Sequence, residues 1–136
     1  MTKKLYLIIS FILLPVIAEG ADWVKVVESK DKKEIFYVDV SSIKQSAPNQ
    51  YRVWYKVEFK NVDLSALKES KAFSLFDCVE REYKELQITH YNIDGSFSEG
   101  EQDWQYVIPD SNMEAVFAFV CTYKKGVLLL PKREHE

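Results

Sequence analysis

The strongest pattern in the chain is an alternation of apolar and polar residues between Tyr51 and Lys60. Every second residue there is aromatic or aliphatic, namely Tyr51, Val53, Tyr55, Val57 and Phe59. The residues between them are charged, with the single exception of Trp54. An alternation with a period of two predicts an antiparallel strand with one face on a core and the other towards solvent. We therefore expect Trp54 to lie on the polar face of this strand.

Further strand signals flank this segment on both sides. Two short apolar runs, 23–27 and 35–40, are joined by a charged turn and predict a hairpin. Residues 72–79 are apolar on both faces, which is typical of a central strand, and 83–93 is its expected hairpin partner. A last short strand is expected at 104–108. The pattern as a whole predicts a sheet of about six strands.

Turns and loops are expected between these strands. Residues 39–43 begin a turn or a single helical turn, because aspartate and serine side chains cap nearby backbone N–H groups. Turns are also expected at 47–50 and at the Asp-Gly pair 94–95. The polar segments 61–70 and 96–102 are predicted to be loops.

A helix is predicted near the end of the chain. Ser111, followed three residues later by Glu114, fits a capping box. One helical face would then carry Met113, Val116, Phe117, Val120 and Cys121. A strand over 116–123, which is rich in β-forming residues, is the alternative. The preferred fold class is α+β, an antiparallel sheet with a C-terminal helix packed on it, and 127–130 is expected to add an edge strand.

The first twenty residues have the pattern of a secretory signal peptide. Lys3 and Lys4 precede an apolar stretch from 5 to 17, and small residues follow it. Cleavage is expected after Gly20 or, alternatively, after Ala18. A retained membrane anchor is a further alternative, but the run is shorter than the ~20 residues of a spanning helix. We expect a signal peptide at 1–20, a single domain at 21–125 and a C-terminal tail at 126–136.

The two cysteines, Cys78 and Cys121, are expected to form a disulfide, because an even pair in an exported chain meets an oxidising compartment. The bridge would tie the predicted helix to the sheet. Zinc would need more ligands, and His90 and His135 stand at no metal-ligand spacing from either cysteine. No cysteine lies near the cleavage site, so we expect no stable membrane anchor after cleavage.

Composition narrows the function classes. The chain has 136 residues, a net charge of −3 and only four glycines and four prolines, which is typical of one globular domain and not of a nucleic-acid-binding protein. No phosphate-binding loop or hydrolase motif is present in the sequence. His90 is in phase with Leu86 and Ile88, which favours a hydrogen-bonded core histidine over a catalytic base.

Acidic residues offer two further candidate sites. Asp77, Glu80 and Glu82 could supply the paired carboxylates of a hydrolase, but a solvated turn is the preferred interpretation, with Arg81 paired to Asp77 or Glu80. A second group, 99–103, contains three acidic residues that could attract calcium, although their spacing matches no EF-hand. We therefore expect no catalytic residue, no metal and no cofactor.

Several short motifs together resemble a known family. They lie at 21–24, 36–39, 41–43, 52–54 and 76–78, with Arg81 and a terminal helix ending in Cys121. In this order they are similar to the surface-adhesin protein E-like family of exported bacterial proteins, over about residues 21–125. The resemblance implies a sheet of about six strands with a disulfide-linked C-terminal helix. It also implies adhesion to host matrix proteins such as vitronectin or laminin.

The leading hypothesis is an exported, non-enzymatic binding module that is adhesin-like and contacts a host matrix protein or an envelope component. Trp54 is the candidate binding residue, since aromatic residues are enriched at protein interfaces; a second layer of core beneath a loop is the alternative for it. The alternative function is a soluble periplasmic accessory protein that binds a small ligand or supports envelope assembly. We expect a periplasmic or secreted protein rather than a surface-anchored one, without nucleic-acid partners and compatible with a homodimer.

Overall fold

A computed structural model describes residues 20–60 and 67–123 of the chain. Within these ranges eight strands form one antiparallel sheet, and one α-helix packs against it. The elements are β1 (Trp23–Glu28), β2 (Glu34–Asp39), β3 (Lys44–Ala47), β4 (Gln50–Phe59), β5 (Glu69–Asp77), β6 (Glu82–Asn92), β7 (Gly95–Glu99), β8 (Gln105–Tyr106) and α1 (Asn112–Thr122), with a 3-10 turn at Val40–Ser42.

Six strands lie in the order β1-β2-β4-β5-β6-β7, while β3 pairs with β4 and β8 pairs with β6. This confirms the predicted antiparallel sheet with a C-terminal helix. The expectation of a loop over 96–102 was wrong, because residues up to Glu99 form β7. No alternation marks β7, whose side chains are all exposed. The strand is held by backbone pairing with β6. The hydroxyls of Thr89 and Ser98 add a hydrogen bond of 2.8 Å between the two strands.

Helix α1 covers one face of the sheet and packs against β1, β2, β4 and β5. The core between them includes four fully buried side chains, Val38, Val53, Phe76 and Val116. The helix prediction is confirmed, and the alternative strand over 116–123 is wrong. Ser111 is the N-cap, since its hydroxyl oxygen accepts the Glu114 backbone N–H at 3.1 Å.

A disulfide joins Cys78, directly after β5, to Cys121 in the last turn of α1, with their Cα atoms 5.7 Å apart.

At the other end of the helix, the Arg81 guanidinium donates to the Glu114 carboxylate at 3.0 Å and lies over the Phe117 ring. The expected pairing of Arg81 with Asp77 or Glu80 is therefore wrong. Arg81 reaches across to the helix instead, while the Asp77 carboxylate caps the turn by accepting the backbone N–H groups of Val79 and Glu80.

Strand β6 contains a bulge, which determines which polar side chain of β6 lies on the sheet face covered by the helix. Phe73 pairs with Gln87 and Ser74 with Glu85, so Leu86 is the extra residue in the ladder. Glu85 thereby takes the position opposite the buried Ser74. Its carboxylate accepts a hydrogen bond from the Tyr55 hydroxyl at 2.5 Å.

Several sequence-based expectations fall outside the described residues. They are the signal peptide up to residue 19, the larger part of the loop at 61–70, the edge strand at 127–130 and the tail at 126–136. Across 20–60 and 67–123, no helix combines the length and the apolar character that a membrane span requires.

Candidate binding face around Trp54

The sheet face opposite α1 bears the predicted site residue. Alternation in β4 sends Val53 and Tyr55 into the core and leaves Trp54 on the other side, as expected. Strand pairing surrounds it with side chains from β1, β2, β5 and β6. We call this surface the Trp54 face, and it comprises Trp23, Tyr37, Arg52, Trp54, Lys56, Lys71, Phe73 and Gln87.

Trp54 is held in place by its neighbours but not covered by them. Its ring stacks on Phe73 of β5, with ring centroids 5.1 Å apart. Its backbone N–H donates to the Ser42 hydroxyl at 2.8 Å, which fixes the 3-10 turn beside it. The residue is half-buried. A ring that is supported on one side and partly open to solvent on the other can serve as a contact surface.

Two cavities open on either side of Trp54, and it lines both. The first has a volume of about 310 Å³ and is lined by Ser41, Ser42, Lys44, Arg52, Trp54 and Phe73. The second, of about 340 Å³, has Trp23, Lys71 and Tyr91 among its lining residues. The Trp54 side chain is therefore shared by two cavities on the same sheet face.

The first cavity is positively charged. Among the residues that the structure describes, its lining includes Lys44 and Arg52 and no acidic residue. The two cations occupy directly opposite positions in the β3–β4 ladder, and both are exposed. A negatively charged group would complement this end of the Trp54 face.

A second charged group is centred on Lys56, whose positive charge is compensated by neighbouring carboxylates. The Lys56 ammonium lies 3.1 Å from Glu58 and 3.4 Å from Glu69, and it also sits over the rings of Trp23 and Tyr37. Burial alone would lower the pKa of Lys56, but the hydrogen bond to Glu58 and the charges of both carboxylates raise it above its ordinary value. Lys56 thus organises the face rather than offering a free charge.

The comparison with protein families agrees with this architecture. The model of the family described as surface-adhesin protein E matches residues 23–122, which span all eight strands and the helix. The chain belongs to the surface-adhesin protein E family. No curated protein and no solved structure gives a significant match. Membership identifies an adhesin-like, exported protein, and the resemblance inferred from the sequence is confirmed.

In this surface-adhesin protein E family member, His90 lies away from the Trp54 face, opposite Ser70 in the β5–β6 ladder. Its Nδ1 is 2.7 Å from the Ser70 hydroxyl and its Nε2 is 3.6 Å from Glu99. A serine, a histidine and a carboxylate in line resemble a hydrolase triad, but Ser70 is only 5% exposed. A buried hydroxyl cannot meet a substrate, so the contact supports packing, with the Phe97 ring centroid 4.8 Å from that of the imidazole.

Three of the other acidic candidates, Asp77, Glu99 and Glu101, make structural contacts. The Asp77 carboxylate accepts the backbone N–H groups of Val79 and Glu80. The hydrogen bond from Glu80, followed by those from Gln50 and Val79, lowers the pKa of Asp77. In the segment 99–103, Glu99 contacts His90 and Glu101 pairs with Lys84. Among the residues that the structure describes, no three His, Cys, Asp or Glu side chains form a group suited to a metal ion.

Sequence reasoning identified Trp54 but missed the residues that make a cavity beside it. Arg52 could have been found, because it shares the polar face of the same alternating strand. Phe73 was expected only as part of the apolar segment 72–79. Lys44 could not be placed, since β3 is a four-residue strand without a period-two apolar pattern, and only its pairing with β4 brings it to the site.

Proposed function

We propose that this protein is an exported, non-enzymatic binding module that attaches to a protein partner through the Trp54 face. The observation that carries the proposal is the half-buried indole of Trp54, supported by Phe73 and bordered by two cavities. Tryptophan and arginine are the residues most often found as interface anchors, and this face presents both. The family supports an adhesin-like role.

The proposed partner is a host matrix protein or a component of the bacterial envelope. Affinity capture tests this directly, with the exported protein immobilised and offered envelope extract in one arm and purified matrix proteins in the other. Wild type should retain a partner that Trp54→Ala loses. Phe97→Ala is the matched control, because Phe97 is a solvent-accessible aromatic residue outside the Trp54 face, on β7 opposite His90.

Capture that is equal for wild type and Trp54→Ala would contradict the assignment of the binding face. A turnover on a hydrolase substrate panel that is abolished by His90→Ala would contradict the non-enzymatic role. The hydrogen bonds that Ser70 makes to His90 and that Asp77 accepts from its own turn argue against that outcome.

A second candidate function is a periplasmic accessory protein that binds a small ligand. The observation that favours it is the size of the two cavities, about 310 and 340 Å³, which falls at the lower end of the ~300–1,000 Å³ of small-molecule sites. Fractionation of cells that express the full chain separates the two functions. Recovery from the periplasm alone favours the accessory protein, and recovery from the cell surface or medium favours the adhesin-like one.

A further inference from the structure

Lys44 and Arg52 form a pair of like charges that no carboxylate among the described residues compensates. They lie directly opposite each other on β3 and β4, an arrangement that destabilises a sheet. Within 20–60 and 67–123, neither side chain forms an ion pair with an acidic residue. Lys56 differs from them, because it has two carboxylates within 3.4 Å. An anion bound between Lys44 and Arg52 would relieve their repulsion.

The wall next to these cations is aromatic. Trp54 and Phe73 are stacked at an angle of 29° between their planes, and both line the same cavity as Lys44 and Arg52. The face of an aromatic ring carries partial negative charge, so it attracts the weakly positive C–H groups of a saturated ring. The cavity thus combines a site for an acidic group with a site for a ring.

The serine hydroxyls at the rim add a requirement for hydrogen-bond donors. Ser41 donates its hydroxyl proton to Asp39 at 2.5 Å, so its oxygen has only lone pairs left to offer. Ser42 donates to the Asp39 carbonyl and accepts from Trp54. A ligand that fits this rim brings hydrogen-bond donors of its own, such as hydroxyl groups, and Ser41 is exposed to receive them.

We propose that this cavity binds an acidic saccharide, with a carboxylate or sulfate group between Lys44 and Arg52 and the sugar ring against Trp54 and Phe73. The guanidinium of Arg52 can engage such a group with two parallel hydrogen bonds. The inference rests on the proposed function, because it supplies the ligand chemistry of the Trp54 face. An aspartate or glutamate side chain fits less well, since it brings neither a ring nor a hydroxyl donor.

The second cavity extends the same site. Trp54 lines both cavities, and the second adds the rings of Trp23 and Tyr91 together with Lys71. Its lining also includes the acidic Asp39, and Lys71 lies 3.9 Å from Glu69, so this cavity contributes mainly ring contacts. A linear saccharide that crosses the indole enters both cavities. The saccharide can be free or carried on a glycoprotein, and the shared chemistry is the acidic sugar.

Calorimetric titration of the exported protein tests the proposal with four probes. They are a heparin hexasaccharide, a sialylated glycoprotein, the same glycoprotein after removal of sialic acid, and a hexaglutamate peptide. We expect binding of the hexasaccharide, the sialylated glycoprotein or both, and affinities at least about tenfold weaker for the other two probes. Binding of the free hexasaccharide alone indicates a polysaccharide source, and binding of the sialylated form alone indicates a glycoprotein source.

Charge variants locate the binding. Arg52→Gln and Lys44→Gln should each weaken the affinity for the acidic saccharide by about tenfold, because each removes one of the two cations. Lys33→Gln is the matched control, since Lys33 is an exposed cation in the β1–β2 turn, and it should change the affinity by less than about twofold. All three positions are exposed, so no variant should lower the thermal midpoint, and loss of the Lys44–Arg52 repulsion should leave it equal or slightly higher.

Three results would overturn the proposal: no binding of either acidic saccharide, equal weakening by Lys33→Gln, or hexaglutamate bound as tightly as the saccharide. The last result would indicate an acidic protein segment. The failure of the proposed function is distinguishable from these outcomes. If Trp54→Ala abolishes capture of a protein partner while no acidic saccharide binds, the binding face is supported and the saccharide proposal is refuted.

Discussion

Trp54 and Phe73 occupy directly opposite positions on β4 and β5, and their rings stack 5.1 Å apart. On the reverse side of the same two strands, Val53 and Ser74 are also directly opposite and fully buried. Adjacent residues therefore serve two purposes: one pair builds the core and the next forms an aromatic surface. Because the strands are fixed by the core, the surface is held in one geometry before any partner arrives.

The disulfide should contribute substantially to stability. Replacing Cys78 or Cys121 by serine should lower the free energy of unfolding by a few kcal/mol, with an upper figure of about 4 kcal/mol from the entropy of the closed loop of 43 residues. Chemical denaturation measures the loss, and the double variant should resemble each single one. Peptide mapping without reductant should recover the linked pair, whereas two titratable thiols in the native protein would contradict the bridge.

Ser74 should be replaceable with a gain in stability. Its hydroxyl is fully buried and, among the described parts of the chain, has no hydrogen-bond partner. Ser74→Ala removes an unpaired polar group and should raise the free energy of unfolding by about 1 kcal/mol. Ser70→Ala is the control, because it removes a hydroxyl that is bonded to His90 and should lower the free energy of unfolding. Denaturation that ranks the two variants in the opposite order would refute this account of the core.

Tyr55 should make the fold sensitive to alkaline pH. Burial, followed by the charge of Glu85 and the hydrogen bond to it, raises the pKa of Tyr55 well above its ordinary value of 10.0. The folded state keeps a proton that the unfolded state loses. The stabilisation is therefore complete below about pH 10 and decreases as the pH rises further. Burial raises the pKa of Tyr83 in the same sense.

The variant Tyr55→Phe separates these effects. At neutral pH it should lower the free energy of unfolding by about 1–3 kcal/mol, because Glu85 loses its buried donor. Above pH 10 the decline of stability should be shallower than in wild type. The exposed Tyr106 provides the control, Tyr106→Phe, which should match wild type in both respects. A decline above pH 10 as steep in Tyr55→Phe as in wild type would refute the role of this hydroxyl.

Export with cleavage is a further prediction, and it rests on the pattern of the first twenty residues. Mass spectrometry of the protein from the envelope fraction or the medium should find a new N-terminus close to Ala21. An intact chain that begins at Met1 and stays in the inner membrane would contradict cleavage and favour a retained anchor.

The parts of the fold that follow from local pattern could be predicted from the sequence. The alternation from Tyr51 to Lys60 became β4, and the capped amphipathic segment after Ser111 became α1. Residues whose structure depends on strand pairing, and not on their own apolar pattern, were missed. Strands β3 and β7 have little apolar alternation, and the bulge at Leu86 arises from the register between β5 and β6.

The same distinction applies to the site. Trp54 was recognisable because it interrupts a regular pattern, and such an exception is visible in one strand. The cavity beside it needs Lys44 and Phe73, which are distant in sequence and come together only through the sheet. The pairing of Arg81 with Glu114 was missed for a similar reason, since it depends on where the helix begins relative to the β5–β6 turn.

The account depends most on Trp54 as a contact residue, and measuring both partner affinity and thermal stability of Trp54→Ala tests it directly. We predict that the affinity for the captured partner falls by ~1–3 kcal/mol, as expected for an interface anchor, and that the free energy of unfolding falls by about 1 kcal/mol or less. Phe97→Ala should leave the affinity unchanged. A clear loss of thermal stability together with an unchanged partner affinity would contradict the account, because Trp54 would then be part of the packing alone.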